Sequence, residues 1–366
     1  MIKIMHVLTD TNIGGAGIWL INFLKAYDRQ NLDVFVVLPP KSALYDRIKA
    51  LDTEVVEAEG IGDKSFSVSG IRVIKRIIKE RKPHVIHTHA SLSARIAAKL
   101  CKVPVVHTRH CLEGKKSFPK NKIYGFINNF LSAHVIGVSK AVVQNLKDDG
   151  IKEQKLSLVY NGITSLRSYT PEERQKARVG FGISDGDIAV GLVARLEEVK
   201  NPLLFARAAK IVAQKVPHAF FVIAGDGSLK QQVENEIKPI AHRVCMTGYV
   251  DDVEKVYNAL DILTLTSASE ALSISLIEGM SLRVPAISTD SGGPTEIIEN
   301  GENGLIVPNH NEEALANAIT KLIENPVLRD KFAVEGQKVT KEKFTSDKMA
   351  QSIEQIYKKL AGGQIR

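Results

Sequence analysis

Residues 188–202 read Ile188-Ala189-Val190-Gly191-Leu192-Val193-Ala194-Arg195-Leu196-Glu197-Glu198-Val199-Lys200-Asn201-Pro202. The apolar run at the start has the character of a strand buried on both faces, and Pro202 suits the first turn of a helix. Arg195 and Lys200 stand on the loop between them. Strand, short loop and helix make half of a βαβ unit, and their recurrence along a chain means a parallel sheet. Further strands are expected at 219–223, 244–246, 262–265, 286–288 and 305–307. Helices are expected at 202–216, 229–237, 253–260, 273–280, 295–299 and 312–324, with two more at 327–340 and 346–360.

Working back from residue 188, the same alternation fills the first half. Strands are expected there at 4–8, 34–38, 54–56, 85–87, 103–106 and 135–138, and helices at 18–27, 71–80, 91–100 and 140–148. Gly150 and Asn161-Gly162 punctuate the end of this half, and 166–187, with Pro171, reads as a connection. The expected class is therefore α/β, with two doubly wound Rossmann-like domains. Their bounds are 1–165 and 166–345, and a final helix in 346–366 returns to the first domain. A chain of 366 residues is long enough for each to bury its own core.

Composition narrows the function classes. Hydrophobic residues make up 44% and charged residues 25%, as in ordinary globular proteins. Cys101, Cys111 and Cys245 form neither a disulfide framework nor a metal-ligand spacing. The apolar run at 4–8 is too short for a leader, and no apolar stretch is long enough to span a membrane, so a cytoplasmic protein is expected. Residues 1–165 hold 25 Lys+Arg against 14 Asp+Glu, a balance of +11, and the rest hold 24 against 27, or −3. The basic half points to an anionic partner. Nucleic acid is a poor fit, because aromatics are only 6% and are not interleaved with the cations.

Ligands of open α/β domains gather at the carboxyl ends of the strands, where glycine loops and helix starts meet. Gly14-Gly15-Ala16-Gly17 is such a loop in the first half, though it lacks the G-x-G-x-x-G of a dinucleotide binder. In the second half Arg195 and Lys200 suit a diphosphate, one as a planar fork and the other as a point charge. Glu270 then precedes a helix carrying Glu278, and the N–H groups of Leu272, Ser273 and Ile274 open that helix as anion donors. A carboxylate such as Glu278 can accept two hydrogen bonds from a ribose diol.

Taken together, these motifs resemble the family 4 retaining glycosyltransferases of the GT-B fold, in which two Rossmann-like domains face a cleft. The second half carries the resemblance densely. It runs through Val193-Ala194-Arg195, Lys200-Asn201-Pro202, Ala224-Gly225-Asp226-Gly227, Thr247-Gly248-Tyr249-Val250, Glu270 to Glu278, Pro285, Gly292-Gly293 with Glu296, and Asn303-Gly304-Leu305-Ile306-Val307-Pro308. The first half carries it through Gly14-Gly15, His87-Thr88-His89, His107-Thr108-Arg109-His110, Val138-Ser139 and Asn161-Gly162-Ile163.

The resemblance implies that Arg195 and Lys200 hold the donor diphosphate and stabilise the leaving nucleotide, with no catalytic metal and no cofactor. It implies that Glu278 binds the ribose, Tyr249 and Val250 line the base, and Glu270 binds the transferred hexose. Gly14 and Gly15 would approach the donor phosphate, and His110 would touch sugar or acceptor near the reacting carbon. Attack from the front face is implied, so Glu270 is a binder and not a nucleophile. His89 and His107 read as structural, and a metal cluster among His84, His87, His89, His107 and His110 is not expected.

The implied co-substrate is a nucleotide-diphosphate sugar, UDP-sugar first. The implied acceptor is a glycan, a lipid-linked precursor or a small molecule. An anionic membrane surface is a further expected partner, with the enzyme peripheral on the inner face of the plasma membrane. Arg72, Lys75, Arg76, Lys79, Arg81 and Lys82 on one helix would meet it, as would Lys115, Lys116, Lys120 and Lys122 in a loop with Phe118, Ile123, Tyr124 and Phe126. Two departures stand out. Leu272-Ser273 replaces the usual Phe-Gly, and Gly279 replaces a helix alanine at a cost of about 1 kcal/mol. A GT-B-fold epimerase or phosphorylase, or a non-catalytic binder of anionic surfaces, is the alternative reading.

Overall fold

The computed structural model describes residues 1–114 and 119–362. The chain divides into two compact units, one built from Met1–Thr164 with Phe344–Arg366 and the other from Ser165–Lys343.

The first unit holds seven strands: β1 (Ile2–Leu8), β2 (Leu32–Leu38), β3 (Glu54–Glu57), β4 (Val85–His89), β5 (Val105–Arg109), β6 (His134–Gly137) and β7 (Leu156–Leu158). All pair in parallel, in the order β3-β2-β1-β4-β5-β6-β7. Its helices before the chain leaves are α1 (Gly15–Ala26), α2 (Tyr45–Lys49), α3 (Val68–Arg81), α4 (Leu92–Leu100), α5 (Lys120–Leu131) and α6 (Lys140–Asp148).

The second unit holds β8 (Ile188–Val193), β9 (Ala219–Ala224), β10 (Val244–Gly248), β11 (Ile262–Leu265), β12 (Ala286–Thr289) and β13 (Gly304–Val307). They too are parallel, in the order β10-β9-β8-β11-β12-β13. Its helices are α7 (Pro171–Gly180), α8 (Pro202–Lys215), α9 (Lys230–Ile237), α10 (Val253–Ala259), α11 (Ile274–Ser281), α12 (Glu312–Glu324) and α13 (Pro326–Lys343).

The last helix, α14 (Ser346–Gly362), belongs to the first unit. Met349, Ala350, Ile353, Tyr357 and Ala361 recur every three or four residues and share one core with Trp19, Leu20, Phe23 and Leu24 of α1. Full burial contributes roughly 1.5–3 kcal/mol for each large apolar side chain, so this stripe is what returns the chain to the first unit. Glu354 adds a 2.8 Å hydrogen bond from the Asp28 N–H. The helix before it, α13, packs on α11 in the second unit.

Besides β7 and α2, which have no counterpart in the sequence expectation, four segments differ from it. Residues 171–180 are helical: Thr170 and Glu173 form a capping box and Pro171 opens the helix. Arg174 and Arg178 bind Asp261 at 2.6 and 2.8 Å, which ties α7 to the second unit. The loop expected after His110 contains α5, with Lys120, Lys122, Ile123, Tyr124 and Phe126 on it. Lys115, Lys116 and Phe118 lie outside the described residues. The strand expected at 103–106 runs instead to Arg109, and His107, Thr108 and Arg109 are buried in it. The helix expected at 295–299 is a 3-10 turn, Gly293–Glu296, because Gly292 turns the chain at φ 107° two residues before Pro294.

Candidate functional site

In both sheets the strand order reverses beside the first strand of the unit, at β1/β4 and at β8/β11. Loops leave such a point in opposite directions and open a crevice at the carboxyl ends of the strands. In the second unit Arg195, Lys200 and Glu270 stand at that switch, while Tyr249 and Val250 leave the carboxyl end of the edge strand. Arg195 and Lys200 follow β8, Glu270 follows β11, and Tyr249 and Val250 follow β10.

Lys200 and Glu270 meet directly. The Lys200 ammonium donates to Glu270 Oε2 at 2.5 Å, and the Ser267 hydroxyl donates to the same oxygen at 3.0 Å. Their side chains are only 20% and 11% exposed, so the pairing is little screened by solvent. Backbone bonds hold the carboxylate's own segment: the Glu270 N–H donates to Ser291 O, and the Gly293 N–H donates to Glu270 O. Arg195 is exposed on its loop. Glu197, two residues on, accepts from the N–H and hydroxyl of Ser228 at 3.1 and 2.6 Å, which binds the β8 loop to the β9 loop.

Glu278 lies on α11 and Glu270 on the loop before it. The Tyr257 hydroxyl donates to Glu278 Oε2 at 2.9 Å, and burial, then the neighbouring carboxylate, hold that phenol well above its ordinary pKa. The unusual Gly279 now has a reason. A Cβ there would fall 2.4 Å from a Leu263 methyl and 3.3 Å from the Tyr257 ring. The helix glycine lets α11 lie close on β11 and Tyr257. Ser273, at φ −75° and ψ 114°, needs no special backbone conformation, and its hydroxyl caps α11 by accepting from the Leu276 N–H at 3.3 Å. Leu272 is buried and Ile274 begins the helix.

The expectation of no catalytic metal has one carboxylate spacing to answer. An Asp-x-Asp stands at Asp185-Gly186-Asp187. It precedes β8, at the amino ends of the strands and so opposite the crevice loops. Asp187 is buried, accepting from Arg243 at 2.5 Å and from the Ser184 N–H at 2.9 Å, while Asp185 accepts from Gln175. Both are spent on structure.

In the first unit Gly14 precedes α1 and Gly15 begins it. Neither needs to be glycine for the fold: a Cβ on Gly15 would meet nothing within 4 Å, and one on Gly14 only an Asp10 oxygen at 3.9 Å. Glycine at Gly15 keeps space open at a helix start. His110 follows β5, half-buried, and its Nε2 lies 2.8 Å from His89 Nδ1. Trp19 of α1 meets the His110 ring edge-on at 5.5 Å. The neighbouring Arg109, 3% exposed, is anchored by Asp149 at 2.8 Å and by Asn145 and Tyr124.

His89, expected to be structural, thus contacts His110 directly, and two residues that sequence did not single out join it. His89 Nε2 faces His6 Nδ1 at 3.2 Å, and the Tyr357 hydroxyl lies 3.1 Å from His6 Nε2 and 2.5 Å from His87 Nδ1. His107 lies apart from these, facing Thr88 at 3.3–3.4 Å. The signal for His6 was its parity with Ile4 and Leu8 on β1, while nothing local marks Tyr357. Among the described residues, ligand atoms of His6, His87 and His89 lie within 4.8 Å of one another. Burial pushes the His6 and His110 rings down to about 3 and lowers His87 and His89 well below the ordinary histidine value.

Comparison with known proteins covers both units. The family model described as Glycosyltransferase Family 4 matches residues 13–165, and that described as Glycosyl transferases group 1 matches residues 173–339. The chain is 25% identical over 352 residues to an Escherichia coli UDP-Gal:alpha-D-GlcNAc-diphosphoundecaprenol alpha-1,3-galactosyltransferase, covering 89% of each. It is 26% identical over 343 residues to a Campylobacter jejuni GalNAc-alpha-(1->4)-GalNAc-alpha-(1->3)-diNAcBac-PP-undecaprenol alpha-1,4-N-acetyl-D-galactosaminyltransferase, covering 90% of this chain and 91% of the other. The structure of Anabaena HepE in complex with UDP-glucose superposes with a TM-score of 0.86 at 21% identity, over 97% of this chain and 99% of that one.

Proposed function

Since the chain belongs to the family 4-like glycosyltransferases of the GT-B fold, we propose that it transfers a hexose-type sugar, with retention, from a UDP-sugar to a hydroxyl of a lipid-linked or other envelope glycan precursor. The observation that carries this reading is the meeting of Lys200 and Glu270 at the β8/β11 switch, with Arg195 on the same loop. A diphosphate arriving there draws Lys200 and Arg195 to its oxygens and offsets the charge that develops as the sugar leaves. Glu270 then turns to the sugar hydroxyls. Its carboxylate already accepts from Lys200 and Ser267, which suits a binding group and weakens a nucleophile. Glu278, oriented by Tyr257, takes the ribose hydroxyls, with Tyr249 and Val250 beside the base and Leu272, Ser273 and Ile274 offering backbone N–H groups. His110 and the open space at Gly14 and Gly15 serve the sugar and the donor phosphate. UDP is favoured because one relative is named for UDP-Gal and a structural neighbour holds UDP-glucose.

The two cations replace a metal in this reading, so chelation is expected to leave activity intact. A panel of UDP-, GDP- and ADP-hexoses, with and without excess EDTA, checks donor and metal together by the nucleotide released. UDP release unchanged by EDTA is expected. Loss on chelation with recovery by Mg²⁺ or Mn²⁺ overturns the metal-free mechanism, and release of GDP or ADP overturns the donor. The anomeric configuration of the product, read by NMR, decides retention.

Two relatives are named for undecaprenol-linked sugars, and α5 offers a surface that suits such a partner. Ile123, Phe126, Ile127 and Phe130 are 42–73% exposed and recur at helical spacing, with Lys120 and Lys122 exposed on the same helix. Lys99 lies over the Phe130 ring at 4.3 Å. On α3 the apolar face of Ile74, Ile77 and Ile78 is buried, which leaves Arg72, Arg76 and Lys79 toward solvent. Among the described residues no helix is long and apolar enough to cross a membrane. The association proposed for these groups is peripheral docking on an anionic inner leaflet, at roughly 1 kcal/mol per cation near the surface. The protein is expected to sediment with vesicles containing anionic lipid at low salt and to be released as salt rises, with Phe126→Ser weakening binding. Absence of binding to anionic and neutral vesicles alike sinks this partner.

A further inference from the structure

We infer that Thr108, His87, Tyr357, His6, His89 and His110 form one continuous hydrogen-bonded line that decides which nitrogen of His110 carries its proton. The line begins in strand parity. In the register His6 pairs with His87 and His87 with Val106, so alternate residues 4, 6 and 8 of β1, 85, 87 and 89 of β4 and 106 and 108 of β5 share a face. That face is covered by α1 and α14, and α14 supplies Tyr357.

The contacts run in sequence: Thr108 Oγ1 to His87 Nε2 at 2.6 Å, His87 Nδ1 to Tyr357 Oη at 2.5 Å, and Tyr357 Oη to His6 Nε2 at 3.1 Å. His6 Nδ1 then meets His89 Nε2 at 3.2 Å, and His89 Nδ1 meets His110 Nε2 at 2.8 Å. The His6–His89 and His89–His110 centroids are 5.5 and 5.1 Å apart, with ring planes within 16° and 26°. Each separation is the N···N distance plus the two ring radii, so the rings lie end to end with nitrogens in line. Thr108, His87, Tyr357, His6 and His89 are all 2% exposed or less.

Burial keeps the imidazoles neutral, and a neutral imidazole has one donor and one acceptor nitrogen. Reversing one member alone would set two protons, or two lone pairs, face to face. Only two arrangements satisfy the line: every histidine is Nδ1–H, or every one is Nε2–H. The three bonds to hydroxyls choose between them: the Nε2–H arrangement fits the 2.5 and 3.1 Å bonds at Tyr357 and leaves one short N–H bond, 2.6 Å to Thr108, whereas the reverse fits the Thr108 bond alone. Hydrogen bonds donated by O–H are shorter than those donated by N–H. The phenol therefore donates across the 2.5 Å contact to His87 Nδ1 and accepts from His6 Nε2–H across 3.1 Å. His89 Nε2–H then donates to His6 and His110 Nε2–H to His89, while His87 Nε2–H donates to Thr108.

His110 is left with Nδ1 as an acceptor at the end of the line. Resting on the proposed contact between His110 and substrate, this makes the ring accept a hydrogen bond from a hydroxyl of sugar or acceptor. It does not donate to a phosphate. Tyr357, His6, His87 and His89 are positioning residues for that nitrogen. The same geometry accounts for the three-histidine grouping without a metal, because its nitrogens already face one another, Tyr357 and Thr108.

Long-range ¹H–¹⁵N spectra of the full chain, labelled at histidine, test this without substrate. At neutral pH His6, His87, His89 and His110 are expected all in the neutral Nε2–H form. In Tyr357→Phe the line is cut, and the ring-nitrogen signals of His6, His89 and His110 should move toward mixed tautomers, with kcat down roughly 10- to 100-fold and donor KM unchanged. Thr108→Val, which keeps side-chain volume, perturbs His87 from the other end and guards against misfolding of the tyrosine variant. Rings in different tautomers, a charged ring at neutral pH, or signals unmoved by both substitutions overturn the line. Spectra as expected with kcat unchanged in Tyr357→Phe overturn instead the proposed contact of His110 with substrate.

Discussion

Lys200→Ala and Arg195→Ala are each expected to lower kcat by about 100-fold or more. Removing one preorganised donor from a site of developing negative charge costs roughly 3–4 kcal/mol of transition-state stabilisation. Lys200 is the better placed of the two in the ligand-free protein, since it is 20% exposed and held at 2.5 Å from Glu270. Its loss leaves Glu270 facing the diphosphate with no intervening cation, so donor KM should rise as well as kcat fall. Arg195 is exposed and, among the described residues, makes no comparable ion pair, so its alanine variant should lose kcat with a smaller change in KM. Lys200→Arg keeps the charge but not the compact ammonium, and only partial rescue is expected. Steady-state kinetics with saturating acceptor check the set. Turnover like that of the parent in both alanine variants removes leaving-group stabilisation by these residues.

Gly225→Ala and Gly293→Ala are expected to unfold or severely destabilise the second unit. At Gly225 the backbone has φ +146°, and a Cβ would stand 1.8 Å from Ala194 O. At Gly293 the added atom would stand 1.8 Å from Ala271 O. In both cases the obstacle is backbone, which cannot swing aside as a side chain does. The first clash separates the β9 loop from the β8 loop carrying Arg195, and the second separates the segment after β12 from the one carrying Glu270. A loss on the order of 4 kcal/mol is expected for each, enough to lower the melting temperature by roughly 10 °C. Gly15→Ala is the contrast. With nothing within 4 Å of its Cβ, stability should change by less than about 0.5 kcal/mol while activity falls, if the open space serves the donor phosphate. Thermal melts of the three variants check this. A stable Gly225→Ala protein would contradict the close approach of the two loops.

Much of the candidate site was legible because its residues follow strands at characteristic intervals. Arg195 and Lys200 after β8, and Glu270 before the helix carrying Glu278, stand where βαβ order alone places a ligand. Other parts were not. The Thr170-Pro171-Glu172-Glu173 start signal was present but sat where a linker was wanted. The polar run His107-Thr108-Arg109 looked like loop because burial of polar groups is unfavourable until their partners are known, and Asp149, Asn145 and Tyr124 come from distant segments. Gly279 looked like a defect in a helix because the Leu263 methyl that forbids a Cβ belongs to a separate element, β11.

By itself the sequence determines the alternation of buried strands and amphipathic helices, hence two parallel sheets, and the loops on which the charged groups stand. Those features depend on period and on local start signals, which neighbours in the chain encode. The tertiary structure alone decides which groups touch. Lys200 and Glu270 are 70 residues apart and meet because β8 and β11 are neighbours across the switch. Tyr357 is 351 residues from His6 and reaches it because the apolar stripe of α14 is buried against α1 and the first sheet. Strand order and helix docking are set by the summed burial of both cores. A window of sequence holds only one side of each such contact.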